Sequence, residues 1–155
     1  DFDRSMDDRA AVGYLKDMGV SYENRSTDDD KGFTNSITLD MTGHLDATNL
    51  RQVSIRGTVT ENTLMISRTD DYNKLYFEPR GYTAVFEYPD RPGILGKIGA
   101  AIASAGVNID DVRNPHDSRG AYSIAILKVN SMVPAAVIRS IAAEIEARVA
   151  FCAEL

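Results

Sequence analysis

Apolar and polar residues alternate along much of the first half of the chain, a pattern typical of half-buried β-strands. Before this alternation, apolar residues at helical spacing predict a helix at 7–18, followed by a short strand at 20–26 and a turn at 27–32. The alternation itself predicts strands at 33–42, 50–59, 64–68 and 74–77, a loop at 43–48, a bulge at Gly57, and turns at 61–62 and 70–71. Pro79 to Gly81 breaks the pattern, so we predict a small α+β domain over residues 1–80.

The second half of the chain changes between strand and helix spacing in a regular order. The pattern predicts strands at 82–88, 107–113, 121–129 and 148–155, a helix at 92–105, a turn at 114–120 and a second helix that begins at Pro134. This order is β-α-β-β-α-β, the ferredoxin-like arrangement, in which both helices cover one face of an antiparallel sheet. The sequence therefore predicts an α+β protein with a ferredoxin-like domain at 81–155.

Composition and charge exclude several classes of function. The formal net charge is -6 and no basic run occurs, so we expect neither nucleic acid nor an anionic membrane as a partner. No apolar run approaches the 18 residues that indicate a membrane-spanning helix. The single cysteine, Cys152, favours a reducing compartment, and we expect a cytoplasmic protein. The sequence begins with Asp1, and we expect it to be a fragment of a longer protein or the residues left after processing.

The richest stretch for chemistry is Tyr88 to Ile109, YPDRPGILGKIGAAIASAGVNI. Asp90 lies just before the predicted start of a helix at Pro92, where it can cap the helix or meet a ligand ammonium beside free backbone N–H groups. Capping is the commoner role for such an aspartate. Asn108, after the helix, can bond nearby backbone or face the Asp90 turn.

Three glycines in the predicted helix, Gly93, Gly96 and Gly99, also have two interpretations. Each costs about 0.8–1 kcal/mol of helix stability relative to alanine. Close approach of a ligand or another subunit would explain them, and so would close packing of the helix on its sheet. The spacing does not match a nucleotide-binding fingerprint.

Little in the sequence supports catalysis or a metal site. The histidines His44 and His116 are far apart in the sequence, and we expect His116 to be a solvated loop residue. A nucleophilic pair of cysteine and histidine is open but unsupported. The acidic run at 28–30 lacks the spacing of a calcium loop. We therefore predict no catalytic residue and no metal ligand.

Two stretches resemble known families. Asp90-Arg91-Pro92-Gly93, the helix with Leu95 and Ile98, and 106–109 (GVNI) resemble the ACT domain, a small regulatory module that binds amino acids, over residues 81–155. The stretch 53–81 resembles the intervening allosteric substrate-binding domain of the D-3-phosphoglycerate dehydrogenase family. Together they resemble the C-terminal regulatory portion of that family.

The resemblance implies an L-serine site between the ACT domains of a homodimer, used for feedback control of serine biosynthesis. The expected ligand-binding residues are Tyr88, Asp90, Arg91, Pro92, Gly93, Ile94, Leu95, Asn108 and Ile109. Tyr88 would wall the pocket, Asp90 would meet the ammonium or hydroxyl, and Asn108 would supply a donor and an acceptor. A sensor of another amino acid and a purely structural oligomerisation module are the alternatives.

The resemblance also implies an anion site and a parent enzyme. Arg68, Lys74 and Arg80 are the candidate anion-binding residues, although Glu78 stands where a base is expected. The parent would be an NAD-dependent oxidoreductase whose catalytic domain holds NAD and senses the regulatory region. We expect no cofactor in the present chain.

Overall fold

The computed structural model describes residues 8–18, 36–44 and 50–155. The chain divides into two compact units, Asp1–Gly32 and Phe33–Leu155. The first unit contains helix α1 (Asp8–Asp17), which confirms the predicted helix. The strand and turn predicted over 20–32 lie outside the described residues. None of the helices formed by the described residues is long and apolar enough to cross a membrane.

The first sheet of the second unit follows the predicted order of strands. Its strands, β1 (Ser36–His44), β2 (Leu50–Thr60), β3 (Thr63–Thr69) and β4 (Tyr72–Phe77), are neighbours in that order and antiparallel. Glu61 and Asn62 turn with φ of 50° and 62°, the left-handed pair that suits a two-residue hairpin. The pairing register shifts between Arg56 and Gly57, but the extra residue, Ser67, belongs to β3, opposite the position at which a bulge was predicted.

Two boundaries in this sheet differ from the prediction, since β4 begins at Tyr72 rather than at residue 74. β1 continues through Gly43 and His44, where a loop was expected. These residues pair with Arg51 and Leu50 of β2, so the ladder of backbone hydrogen bonds overrides the weak strand tendency of glycine. The rest of that predicted loop and the first residues of the strand predicted at 33–42 lie outside the described part of the chain.

The second sheet has the predicted β-α-β-β-α-β connectivity. Its elements are β5 (Tyr82–Pro89), α2 (Ile94–Ser104), β6 (Ile109–Arg113), β7 (Tyr122–Val129), α3 (Ala135–Ile145) and β8 (Val149–Glu154). The strands are antiparallel in the order β6-β7-β5-β8. Helix α2 begins at Ile94 rather than Pro92, because Gly93 has a φ of 88° and a left-handed residue cannot continue a right-handed helix.

The two faces of β5 enter two different cores. Phe86 and Tyr88 pack with buried isoleucines of α2 and α3, including Ile98. Val85 lies on the opposite face and packs with a second cluster, formed by Tyr72, Leu75, Phe77, Ile124 and Ile126. The first sheet therefore covers the face of the second sheet that the helices leave open. Both sheets lie in one compact unit, and the domain boundary at residue 80 stays a prediction.

Candidate functional site

The turn between β5 and α2 brings Asp90 to two side chains that are distant in the sequence. Ser123 of β7 is fully buried, and its hydroxyl donates to Asp90 Oδ1 over 2.8 Å. His116 Nδ1 lies 3.0 Å from Ser123 Oγ and 3.4 Å from Asp90 Oδ2. Backbone bonds fix the site, since the Asp90 N–H donates to the Ala121 carbonyl over 3.0 Å. The carboxylate of Asp90 is thus held at the end of the sheet by a serine and a histidine.

This arrangement contradicts the interpretation that Asp90 caps helix α2. The N-cap of α2 is Gly93, and within the described structure it has no side-chain capping bond. The prediction that His116 is a solvated loop residue is incomplete. Its side chain is 59% exposed, but the ring contacts both Ser123 and Asp90. Sequence reasoning missed Ser123, although a serine inside a strongly apolar strand was the available signal.

The direction of the hydrogen bonds favours binding over nucleophilic catalysis. Ser123 gives its proton to Asp90, so its oxygen accepts from His116 Nδ1–H. In a hydrolytic triad the serine donates to the histidine instead. Cys152 pairs with Ala84 of β5. Along that strand Ala84 lies about 13 Å from Tyr88, at about 3.3 Å per residue. Since Ser123, which His116 contacts, pairs with Tyr88, the fold does not bring His116 to the thiol. The described residues contain no group of three His, Cys, Asp or Glu side chains that could hold a metal ion.

Tyr88 lies beneath the Asp90 turn. Its ring belongs to the helix-side core, which the second sheet forms with α2 and α3. Its hydroxyl donates to Asn114 Oδ1 over 2.6 Å. Burial raises the pKa of Tyr88, and the negative charge of Asp90 acts in the same direction, while the bond to Asn114 opposes them. Tyr88 therefore stays neutral and supports the site from below, joined to a residue that the sequence did not indicate.

The neighbouring predicted ligand residues have different roles. Arg91 is an exposed side chain paired with Glu146 at the end of α3, at 2.9 Å. Ile94 and Ile109 pack in or against the helix-side core, so their side chains hold the fold. Pro92, Gly93 and Leu95 are exposed beside Asp90. The structure thus gathers Tyr88, Asp90 and the start of α2 at one place.

Asn108 lies at the opposite end of the second sheet. Its N–H donates to Asn130 Oδ1 over 3.0 Å, and its side-chain amide donates to Asp110 Oδ1 over 2.9 Å. β7 runs from Tyr122, at the Asp90 end, to Val129, at the Asn108 end, which separates them by about 23 Å at about 3.3 Å per residue. The prediction that Asn108 faces the Asp90 turn is therefore wrong within one chain, because β6 starts where its antiparallel neighbour β7 ends.

The glycines of α2 lie on an open surface. A Cβ added at Gly96 or Gly99 would meet no atom of the described structure within 4 Å, apart from the excluded local backbone. Packing of the helix on its sheet therefore does not explain them. Close approach by a ligand or a second subunit stays a prediction.

Alanine will have opposite effects at Gly93 and Gly96. Gly93 has a left-handed φ of 88°, which costs a residue with a Cβ about 1–2 kcal/mol. Gly96 lies inside α2 in open space, where alanine gains about 0.8–1 kcal/mol of helix stability. Urea denaturation of both variants at one low protein concentration measures the difference. A change of the same sign in both variants would contradict this assignment.

The three candidate anion-binding residues do not converge. Arg68 donates from Nη1 to the Asp70 carbonyl and from Nη2 to Ser54 Oγ, each over 2.7 Å. Its Nε is buried and lacks a partner among the described residues. Lys74 is exposed on β4, and Arg80 lies beyond the other end of that strand, paired with Glu78 at 2.8 Å.

A lysine that the sequence did not single out holds the connection between the two sheets. Lys128 Nζ donates to the carbonyls of Glu78, over 3.2 Å, and Arg80, and to Thr83 Oγ1 over 2.8 Å. Burial lowers the pKa of Lys128, with the charge of Arg80 adding to it and those of Glu78 and Asp111 opposing it. Its donors are therefore used to fix the chain between β4 and β5.

A second polar cluster joins the two sheets. Glu87 Oε1 accepts from the Tyr72 hydroxyl and from Arg148 Nη2, each over 2.7 Å, and the Arg148 guanidinium lies 3.7 Å from the centre of the Tyr122 ring. An open cleft of about 340 Å³ lies beside this cluster, with Arg51 also among its lining residues. Glu87, a charged residue on a predicted strand of an apolar sheet, was the sequence signal for this cluster.

The charges of this cluster stabilise one another. Burial tends to raise the pKa of Glu87, but bonds from Arg148 and Tyr72 outweigh it and leave that pKa below its ordinary value. Burial and the bond to Glu87 raise the pKa of Tyr72 well above its ordinary value. The cluster therefore contains a carboxylate, a guanidinium and a neutral phenol around neutral pH, which is the combination expected of a structural junction.

Comparison with known families agrees with this fold. Residues 82–146 match the family model of the ACT domain, and this part of the chain is an ACT domain. The match covers the elements from β5 to the end of α3, including the Asp90 turn.

The chain is also similar to the C-terminal region of several proteins named D-3-phosphoglycerate dehydrogenase. It is 38% identical over 77 residues to the protein from Mycobacterium tuberculosis, a match of 48% of this chain and 15% of that protein. The corresponding protein from Methanocaldococcus jannaschii is 30% identical over 91 residues, 59% of this chain and 17% of the relative. That from Bacillus subtilis is 22% identical over 131 residues, 81% of this chain and 23% of the relative.

These relatives are much longer than the matched stretch. The chain spans between about one seventh and one quarter of their lengths. Residues 82–155 make up less than half of the chain, so the matches over 59% and 81% of it also include part of the preceding sequence. The similarity therefore extends beyond the ACT domain toward the first sheet.

Proposed function

We propose that this chain is a regulatory region of a D-3-phosphoglycerate dehydrogenase and binds L-serine between two ACT domains for feedback control. The observation that carries the proposal is the carboxylate of Asp90, held by Ser123 and His116 beside the exposed start of α2. A fixed carboxylate suits an ammonium group, and the free backbone N–H groups of a helix start suit a carboxylate. An amino acid carries both groups.

The site is completed by a second copy of the chain. β6 is an edge strand of its sheet among the described strands, with Asn108 just before it and Asn114 just after it. Antiparallel pairing of β6 with its counterpart would bring Asn108 of the partner subunit toward the Asn114 end of the first chain. Asn114 bonds the hydroxyl of Tyr88, which lies beneath the Asp90 turn. The separation of Asn108 from Asp90 within one chain thus becomes a reason for a dimer.

Serine would act because its binding is thermodynamically linked to the arrangement of the subunits. A ligand that bridges two ACT domains favours the arrangement of subunits in which the bridge can form. The catalytic domain of the parent enzyme, where NAD would bind, would sense that arrangement in the cytoplasm. A candidate from another class is an oligomerisation module without an effector, which the open glycine surface of α2 and the edge strand β6 favour.

Calorimetry with L-serine tests the proposal directly. The dimeric protein should bind serine, and Asn108→Ala should bind it about 10-fold more weakly, because one hydrogen bond to the ligand is lost. Asn73→Ala is the matched control, since Asn73 bonds the Asp71 carbonyl at the turn after β3. Glycine and L-alanine, titrated in the same way, identify another amino acid as the effector.

Two outcomes separate the alternatives. Absence of heat with L-serine, glycine and L-alanine, measured on a protein that sedimentation identifies as a dimer, would contradict the amino-acid site and favour the oligomerisation module. Equal loss of affinity in Asn108→Ala and Asn73→Ala would remove Asn108 from the site while leaving serine binding intact.

A further inference from the structure

We propose that Ser123 and His116 are further residues of the amino-acid site: Ser123 positions Asp90, and protonation of His116 weakens ligand binding. This inference rests on the proposed function, since it concerns how Asp90 meets the ammonium of the ligand. Ser123 has no exposed surface and cannot touch a ligand, so it acts through its 2.8 Å bond to Asp90 Oδ1. His116 acts on the other carboxylate oxygen, Oδ2, at 3.4 Å.

The geometry defines one orientation of the carboxylate. Ser123 donates to Oδ1 of Asp90 and His116 Nδ1 lies 3.4 Å from Oδ2, yet the Asp90 side chain keeps 34% of its surface exposed, which leaves an open side for an ammonium group. The loop with His116 is held in place by backbone bonds. Ile124 donates to the Pro115 carbonyl over 3.1 Å, and Asp117 donates to the Tyr122 carbonyl over 2.8 Å. The backbone that carries His116 is therefore fixed beside the Asp90 turn.

The charges around His116 make its protonation state matter to the ligand. From the β5–α2 turn it faces the carboxylate of Asp90, and from β7 it faces the neutral Ser123. In its own loop the next residue is Asp117, whose carboxylate accepts from the Ala121 N–H over 2.8 Å. A neutral His116 can donate from Nδ1 and leave Asp90 its full negative charge. A protonated His116 adds a positive charge beside the carboxylate that the ammonium of the ligand would meet, and the two cations would repel each other.

The effect is reciprocal. If a proton on His116 weakens serine binding, serine binding must release that proton. Both effects are to be measured between pH 5.5 and pH 8, the range in which histidines in general change charge. We expect the affinity for L-serine to fall by about 10-fold between pH 8 and pH 5.5, a size typical of coupling between sites.

The test is calorimetry with L-serine at a series of pH values on the intact chain and on His116→Asn. Asparagine places an amide donor near the position of Nδ1 but carries no charge at any pH. Wild type should lose about 10-fold in affinity as the pH falls and should release protons on binding, as seen in buffers of different ionisation enthalpy. His116→Asn should bind with nearly the same affinity from pH 5.5 to 8 and release fewer protons. His44→Asn, which removes the other histidine of the sequence, should follow the wild type.

Ser123→Ala tests the positioning role. It should bind serine about 10-fold more weakly at pH 8, because Asp90 loses a donor that orients it. Ser104→Ala is its control, since Ser104 bonds the Ala100 carbonyl on the exposed side of α2. Thermal unfolding establishes that each variant is folded. Unchanged affinity in Ser123→Ala would overturn the positioning role.

The outcomes distinguish this inference from the proposed function. If wild type binds serine and His116→Asn keeps the wild-type pH dependence, His116 is not the titrating group and only this inference falls. If wild type binds no serine at any pH, the proposed function falls together with it.

Discussion

Leu75→Ala will lower the free energy of unfolding by about 2–5 kcal/mol, the usual cost of a leucine removed from a full core. Leu75 of β4 has 0% of its surface exposed and packs between the two sheets with Ile124 and Ile126 of β7. The loss combines the transfer free energy of the side chain with that of the cavity it leaves. Urea denaturation followed by circular dichroism measures it.

The same variant tests whether the two sheets unfold together. Since Leu75 belongs to a cluster shared by both sheets, we expect a single transition that shifts as a whole. Leu64→Ala is the matched control, because Leu64 is 56% exposed and its loss should cost less than about 1 kcal/mol. Two separate transitions, with only one shifted in Leu75→Ala, would contradict the shared core and support a domain boundary at residue 80.

Arg148→Met will lower the free energy of unfolding by about 1.5–3 kcal/mol at neutral pH. The side chain of Glu87 is only 13% exposed, and the substitution leaves Tyr72 as its side-chain donor among the described residues. A buried carboxylate that loses a charged hydrogen-bond partner pays the cost of desolvation. Methionine keeps an apolar side chain over the Tyr122 ring, so the charge is the main change.

The loss in Arg148→Met should depend on pH in one direction. The pKa of Glu87 is lowered in the folded protein, so its carboxylate contributes stability above its ordinary pKa of 4.5, and this contribution is lost as the pH falls through the lower folded value. Denaturation at pH 7 and pH 3.5 should therefore give a larger difference between wild type and variant at pH 7. Lys97→Met is the control, since Lys97 and Glu144 pair at 3.1 Å with both side chains half exposed. This substitution should lower the free energy of unfolding by less than about 1 kcal/mol. Equal losses at both pH values would contradict the role of Glu87.

The order of the elements was predictable because it depends on local patterns. Alternation at β5 and β7 and helical spacing at α2 and α3 gave the ferredoxin-like connectivity, and Glu61-Asn62 gave a hairpin turn. The boundaries were less predictable. β1 extends through Gly43 because its partner strand provides hydrogen bonds, and α2 starts late because Gly93 is left-handed. Neither pairing nor the sign of φ at a glycine can be read from hydrophobic spacing.

Half of the candidate site could also be predicted. Asp90 was indicated by the turn before α2, because an acid followed by proline and glycine at a helix start has few roles. Its contacts were not predictable. Ser123 lies 33 residues away and His116 lies in a loop, and only the register of β5 on β7 brings them together. The sequence analysis expected Asn108 to face the Asp90 turn. The pairing of β6 with β7 puts it at the far end of the sheet instead.

By itself the sequence determined the two kinds of spacing, and with them the β-α-β-β-α-β order of the elements from β5 to β8 and the residue types at the β5–α2 turn. The tertiary structure alone decided which face of the second sheet receives the first sheet. It also decided that Glu87 meets Tyr72 and Arg148, and that Asp90 meets Ser123 and His116. The reason is physical: a period of two or 3.6 residues reports which side of an element is buried, whereas contacts between elements depend on strand register, which is set by the packing of both faces at once.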